Sequence, residues 1–385
     1  MPRIKERFIL ILSTSGGAGH LRAAEALHQA VRSSKLPIRS EQYDCLDFTS
    51  GVFKRLYSQS YLAMVNRMPE LWGYLYAQTE KKPYSKKGLL KIFDHFNYQR
   101  YLNALRSMKP DAILCTHFLP YVSISERLRR AKINAPIFAV TTDFDVHQLW
   151  LDPIVTRYYV HHEESAWQLQ AKGVQEERIA VKGIPVLSEF SGKRERRACR
   201  RMLGIPGERF TALVLSGGFG VGRIESLADQ IVSTLADFAS RRFTLVVVCG
   251  KNDKVRSHLE KKKFPHNIEV QIFGYVTNVH ELMDASDVLI SKAGGLTSAE
   301  AMSKHLPMII VDPIPGQETR NADMIVEHGA GFLALDLSNV RYKLRRVIEN
   351  PTLLRHARRG TFQLAKPHAA RDIVRDVFAF LEQHR

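Results

Sequence analysis

The chain has 385 residues, an ordinary apolar content of 45%, and 56 lysines and arginines against 39 acidic residues, for a formal charge of +17. That length suits two domains with separate cores, and the charge calls for an anionic partner: nucleic acid, a membrane surface or a phosphorylated ligand. No apolar run approaches the ~18 residues that span a bilayer, and no recognition helix or stacking-sheet motif supports nucleic acid.

The first element is the apolar run Phe8 to Leu12, preceded by the basic stretch Arg3 to Arg7. The pair superficially resembles a signal peptide, but the run is short and leads directly into Gly16-Gly17-Ala18-Gly19, so it is read as a buried strand. A helix follows whose apolar face is Ala23, Ala24, Leu27 and Val31, with His20 near its start. A helix N-terminus disfavours imidazolium, so His20 is expected to be neutral near pH 7, to face a cleft and to serve as a general base. The competing reading is a structural histidine.

From Phe48 to about Leu105 strand signal is weak and aromatics mix with bases, among them Tyr57, Tyr61, Trp72, Tyr76, Lys81, Lys82, Lys86 and Lys87. Such a mixture suits a headgroup interface, rings at the boundary and ammonium groups toward anionic lipid. It equally suits a helical insertion packed on its own domain with a solvated lysine face. Further on, Asp143-Phe144-Asp145 matches a short metal-binding pattern but lies in a chain organised differently from the enzymes that use it, so no metal is expected. His161-His162-Glu163 cannot point both rings at one ion from a strand. There is no zinc cluster, Walker lysine or nucleophile in a recognisable setting. The cysteines (Cys45, Cys115, Cys199, Cys249) are far apart and are read as buried free thiols.

Near the middle the pattern restarts. Phe210 to Leu215 is a second apolar strand leading into Gly217-Gly218-Phe219-Gly220, and Leu245 to Cys249, Val270 to Phe273, Val288 to Ile290 and Met308 to Val311 read as its successors. Strand–helix alternation in both halves predicts an α/β protein of two doubly wound Rossmann-like domains, with ligands in the cleft facing the strands' carboxyl ends. The expected division is 1–186, with 48–105 as an insertion, then 187–366, with the hinge between Gly183 and Gly192. A final helix, 367–385, would cap the second domain or cross back to the first.

Ile290 to Asn321 reads as a strand, a glycine turn, a helix, a second strand and a Pro-Gly turn. A glycine turn opening a helix is an anion site, since its amides and the helix dipole favour negative charge. Glu300, one turn in, is placed to accept hydrogen bonds from a ribose, and Pro315-Gly316-Gln317-Glu318 offers polar groups to whatever the phosphate carries. This is a nucleotide-sugar site. The competing readings are a capping box over Thr297 to Glu300 and, for Glu318, a favoured acidic residue in a first helical turn.

Ser15-Gly16-Gly17-Ala18-Gly19-His20-Leu21-Arg22-Ala23-Ala24 resembles the N-terminal motif of monogalactosyldiacylglycerol synthases and bacterial processive diacylglycerol glucosyltransferases. Thr142 to Trp150, Gly183-Ile184-Pro185-Val186, Lys292 to Thr297 and Pro315 to Glu318 resemble that family's later motifs in the same order. The resemblance implies a GT-B fold, inverting and metal-independent chemistry without a cofactor, a UDP-hexose donor and a diacylglycerol-type acceptor. It implies that His20 deprotonates the acceptor and that Gly294, Gly295, Leu296 and Thr297 hold the pyrophosphate, with Glu300 on the ribose. It places Gly316, Gln317, Glu318 and Asn321 at the sugar, Val276 against the uracil, and Gly217 and Gly218 along the cleft. It also implies that 48–105 engages an anionic membrane surface, with the protein cytoplasmic and peripheral on the inner face of the cell membrane. Ala293 departs from the family's proline, and Phe219 and Val221 depart in the second glycine loop. The rival readings are N-acetylglucosaminyl transfer to a lipid-linked peptidoglycan precursor, a UDP-sugar epimerase, and a membrane-bound nucleotide-sugar sensor.

Overall fold

The computed structural model describes residues 5–15, 17–51, 54–55, 68–81, 98–123, 128, 133–192, 194–216 and 224–384. They form two compact units, one made of residues 1–188 and 366–385, the other of residues 189–365.

The first unit holds a parallel sheet of six strands in the order β2-β1-β3-β4-β5-β6. Its strands are β1 (Arg7–Ser13), β2 (Ile38–Asp44), β3 (Ala112–Cys115), β4 (Ile137–Val140), β5 (Val155–Val160) and β6 (Ile179–Val181). In β1 every residue from Phe8 to Ser13 is buried, as are all of β3 and β4, because helices cover both faces of a parallel sheet. The polar β2 is partly exposed and lies at the edge, which explains why no apolar run announced it. Helix α1 (Ala18–Ser33) buries Ala23, Ala24, Ala26, Leu27 and Val31. Because β2 and β3 lie on opposite sides of β1, the chain's winding reverses between β1 and β3, where open α/β sheets hold their ligands.

The insertion is divided in character. Phe48, Tyr101, Leu102 and Leu105 are buried in this unit's core, and Phe48 stacks on Tyr101 at 5.0 Å. Between them, helix α2 (Pro69–Lys81) leaves Leu71 and Tyr74 exposed at 44% and 61%. Tyr57, Tyr61, Lys82, Lys86 and Lys87 lie outside the described residues, as do the side chains of Trp72, Tyr76 and Lys81.

The second unit has a parallel sheet in the order β12-β11-β10-β7-β8-β9. Its strands are β7 (Phe210–Leu215), β8 (Phe243–Val248), β9 (Ile268–Phe273), β10 (Val288–Ser291), β11 (Met308–Val311) and β12 (Gly331–Ala334). Cys249 falls just past β8, and the short β12, half-exposed at Phe332 and Leu333, has no sequence signal of its own. The winding here reverses between β7 and β10. Helix α3 (Gly295–Ser303) follows β10 and helix α4 (Gln317–Glu327) follows β11.

Helix α5 (Ala369–Gln383) belongs to the first unit. Asp376 accepts hydrogen bonds from Arg157 at 2.6 Å and Tyr159 at 2.7 Å, and Arg7 donates to the Leu381 carbonyl at 3.1 Å. Gly183 adopts φ +100°, and a Cβ there would collide with the Lys366 β-carbon. Only glycine allows the chain to pass so close in that conformation. All four cysteines are free and buried.

Candidate active site

His20 lies in the first turn of α1, directly past β1. Two residues from neighbouring strand ends hold its ring. The Thr116 carbonyl, just after β3, lies 3.0 Å from Nδ1, and the Thr142 hydroxyl, after β4, lies 2.8 Å from the same atom. Thr116 also donates its hydroxyl hydrogen to the His20 carbonyl at 2.9 Å, fixing the backbone beneath the ring. A carbonyl oxygen can only accept, so Nδ1 carries the proton and Nε2 keeps its lone pair. Among the described residues Nε2 has no hydrogen-bond partner. Gly17 keeps that edge open: a side-chain carbon there would lie 3.4 Å from Cδ2 and 3.8 Å from Nε2.

The protein packed around the imidazole pushes its pKa down to about 4, burial outweighing the Thr116 hydrogen bond that favours the charged form. The neutral ring expected from the helix terminus therefore has burial as its leading cause. His117 stands edge-to-face with His20, ring centroids 4.6 Å apart. Its pKa is lowered well below the usual value, first by burial and then by His20.

The loop carrying Thr142 also seats α2. Glu80, near that helix's end, accepts from the Gln148 amide at 3.1 Å and from Lys172 at 2.5 Å, with His147 Nε2 at 3.1 Å. Burial alone would raise this carboxyl's pKa, but the Lys172 bond, the Gln148 amide and His147 together hold it below the usual value. Asp143 and Asp145 are both buried in the same loop. Among the described residues no group of three or more potential metal ligands occurs.

In the second unit Gly294 is the N-cap of α3 and supplies no side-chain cap. The first amide to turn back is Ser298, which donates to the Gly294 carbonyl at 2.9 Å. The amides of Gly295, Leu296 and Thr297 therefore stand at the positive end of the helix dipole without an intrahelical acceptor. Thr297 is inside the helix, so the capping box over Thr297 to Glu300 does not form. Glu300 lies one turn in and is buried. Asn321, expected beside the sugar, is fully buried and donates Nδ2–H to the Ala293 carbonyl at 3.0 Å, bracing the turn.

Gly316 takes φ +90° as the N-cap of α4, and its amide donates to Thr319 Oγ1 at 3.0 Å. Glu318 is in that helix's first turn, where one carboxylate oxygen accepts from the Ile314 amide at 2.8 Å. Its other oxygen would lie 3.7 Å from a Cβ placed on Gly294, so the Pro-Gly turn and the glycine turn are neighbours. Gln317 is half-buried beside it, and Val276 is half-buried just past β9. Gly217 and Gly218 lie outside the described residues.

The structure thus gathers Gly294 to Thr297, Gly316 to Glu318 and Asn321 in one unit and His20 in the other. Thr116 and His117 did not emerge from the sequence, and Thr142 emerged only as part of a motif. Their one local signal is a polar residue directly after an apolar strand.

Residues 20–186 match the family described as monogalactosyldiacylglycerol (MGDG) synthase, and residues 211–374 match the glycosyltransferase family 28 C-terminal domain. A processive diacylglycerol beta-glucosyltransferase of Bacillus cereus (strain B4264) is 29% identical over 380 residues, covering 98% of this chain and 94% of the relative. Among solved structures, CalG4, the calicheamicin glycosyltransferase, aligns with a TM-score of 0.62 at 14% identity, covering 98% of this chain and 99% of its own. A putative UDP-N-acetylglucosamine 2-epimerase from Listeria monocytogenes aligns with a TM-score of 0.67 at 13% identity, covering 99% and 97%. At such identities the solved structures speak for the fold alone.

The fold and the family 28 domain define a glycosyltransferase of the GT-B class. Within that class, the chain is similar to the monogalactosyldiacylglycerol synthases over residues 20–186 and to processive diacylglycerol glucosyltransferases over nearly its whole length.

Proposed function

We propose that this enzyme transfers a hexose from a UDP-sugar to diacylglycerol, or to a glycosyl-diacylglycerol, at an anionic membrane surface. The observation that carries this reading is the state of His20: proton on Nδ1, lone pair on Nε2, ring held by Thr116 and Thr142. The lipid hydroxyl gives its proton to Nε2 as its oxygen bonds to the anomeric carbon. The bond from that carbon to the donor phosphate breaks, and UDP leaves with the electron pair, so the anomeric configuration inverts. A base with a pKa of about 4 takes the proton only as the new bond forms, when the attacking oxygen has become acidic. Charge on the departing pyrophosphate is met by the amides of Gly295, Leu296 and Thr297 and by the α3 dipole.

Glu300 serves the ribose, Val276 the uracil, and Gln317 and Glu318 the sugar, while Asn321 acts from behind by holding the glycine turn. The exposed Leu71 and Tyr74 on α2 support an interfacial role for the insertion, and the charge of +17 favours anionic lipid. No helix among the described residues is long and apolar enough to cross a membrane. The proposal places the enzyme peripherally on the cytoplasmic side of the membrane.

The test offers labelled UDP-glucose and UDP-galactose separately to the protein on diacylglycerol in anionic vesicles, and counts label in the organic phase. Lipid-soluble label from one donor is expected and names the sugar. Donor consumed without lipid label would turn the assignment toward an epimerase, a chemistry the fold alone does not separate from transfer.

A further inference from the structure

His117 follows Thr116 at the end of β3, where the sheet's winding reverses, and its ring is edge-on to the base. Its Nδ1 accepts the Leu119 amide hydrogen at 3.0 Å. An amide nitrogen can only donate, so His117 carries its own proton on Nε2, the reverse of His20. Among the described residues that Nε2–H has no protein acceptor, although His117 is only 6% exposed. Phe118 stacks on the ring at 4.2 Å and Trp150 lies at 6.4 Å, so the imidazole cannot swing away to find another partner. A donor that no protein group engages is free to meet a ligand or water. The first unit therefore presents an accepting nitrogen and a donating nitrogen on adjacent, rigid, neutral rings.

We infer that His117 is a second acceptor-contacting residue: its Nε2–H donates to an oxygen on the carbon next to the one bearing the hydroxyl that His20 deprotonates. The pair reads an O–C–C–O unit, one oxygen as hydrogen donor to His20 and its neighbour as hydrogen acceptor from His117. Diacylglycerol has that pattern in its free hydroxyl and the adjacent ester oxygen. A glycosyl-diacylglycerol has it in the sugar's primary hydroxyl and ring oxygen. A simple long-chain alcohol does not. The contact also keeps the hydroxyl's neighbour fixed while its proton is transferred, which orients the attacking lone pair.

This inference rests on the acceptor reading proposed above, and the experiment separates the two. Wild type, His117→Asn and His117→Gln are assayed with UDP-hexose in identical vesicles holding either diacylglycerol or a long-chain primary alcohol. The Asn amide oxygen replaces Nδ1 toward Leu119 but removes the Nε2 donor, whereas the Gln amide nitrogen restores a donor near the Nε2 position. The expected result is a roughly tenfold or greater fall in the ratio of kcat/KM for diacylglycerol to kcat/KM for the alcohol in His117→Asn, with partial recovery of that ratio in His117→Gln. In the wild type alone, diacylglycerol should be preferred over the alcohol by a similar factor, a readout independent of whether a variant folds. An equal loss on both acceptors, or none on diacylglycerol, overturns the role of His117 while leaving the transferase reading intact. Absence of lipid product from the wild type on diacylglycerol overturns the acceptor reading and this inference with it.

Discussion

Two glycine turns open helices past the carboxyl ends of parallel strands, one after β1 and one after β10, and they are built to hold opposite things. The first puts an imidazole in its opening turn and surrounds it with Thr116, Thr142 and His117, so that burial keeps the ring neutral. The second places no titratable side chain in its opening turn, and Asn321 and Glu318 stiffen the backbone around it. A helix N-terminus repels a proton on histidine and attracts phosphate for the same electrostatic reason. One local shape thus carries a neutral imidazole in one unit and amides without intrahelical acceptors in the other, and the difference lies in which side chains arrive from neighbouring strands.

The sharpest way to break this contrast is His20→Ala. It should lower kcat by roughly 10²–10⁴-fold, the usual value of a positioned base, with UDP affinity by calorimetry unchanged; near-normal turnover would remove the base assignment. The counterpart in the other turn is Gly295→Pro, which deletes one amide at a position where proline's fixed φ suits a helix start. Donor affinity should fall about tenfold or more, as for a lost hydrogen bond to a charged group. Unchanged affinity in a variant with a normal thermal midpoint would show that this amide does not meet phosphate.

Asn321→Ala leaves the buried Ala293 carbonyl without its partner and should cost roughly 1–3 kcal/mol in denaturant unfolding. UDP binding should weaken in step, whereas a direct sugar contact would alter sugar choice with stability intact. The last expected effect concerns pH. With its folded-state pKa depressed to about 4, His20 contributes stability that is fully present above about pH 6.5 and is lost as pH falls toward 4. The acid limb of kcat/KM should accordingly lie well below 6.5, and an inflection near 6.5 would mean a water-exposed ring.

The same contrast marks what could be read before the fold was known. Phe8 to Leu12, and Thr211 to Val214 within the second run, are buried on both faces and therefore appear as apolar runs followed by glycine. The edge strand Ile38–Asp44 and the short Gly331–Ala334 lack that pattern and passed unnoticed. Within the site, Gly294 and His20 were legible because a glycine turn before a helix is a local signature. Thr116, Thr142 and His117 reach His20 from residues far along the chain, and only sheet order brings them together. The tautomers of both histidines are likewise invisible in sequence, since each depends on one backbone group two or more residues away.

The position of α5 has a consequence for how the protein is made. The second unit is one unbroken stretch, whereas the first needs residues 366–385 to finish. Ile373, Val374, Val377 and Leu381 are buried in the completed fold, so a nascent chain that has released only residues 1–188 still shows water the apolar surface they will cover. Synthesis therefore favours the later-emerging unit as the first to close, with the unit that carries His20 sealed afterwards. Truncating 366–385 should yield aggregation of the N-terminal half rather than a working fragment.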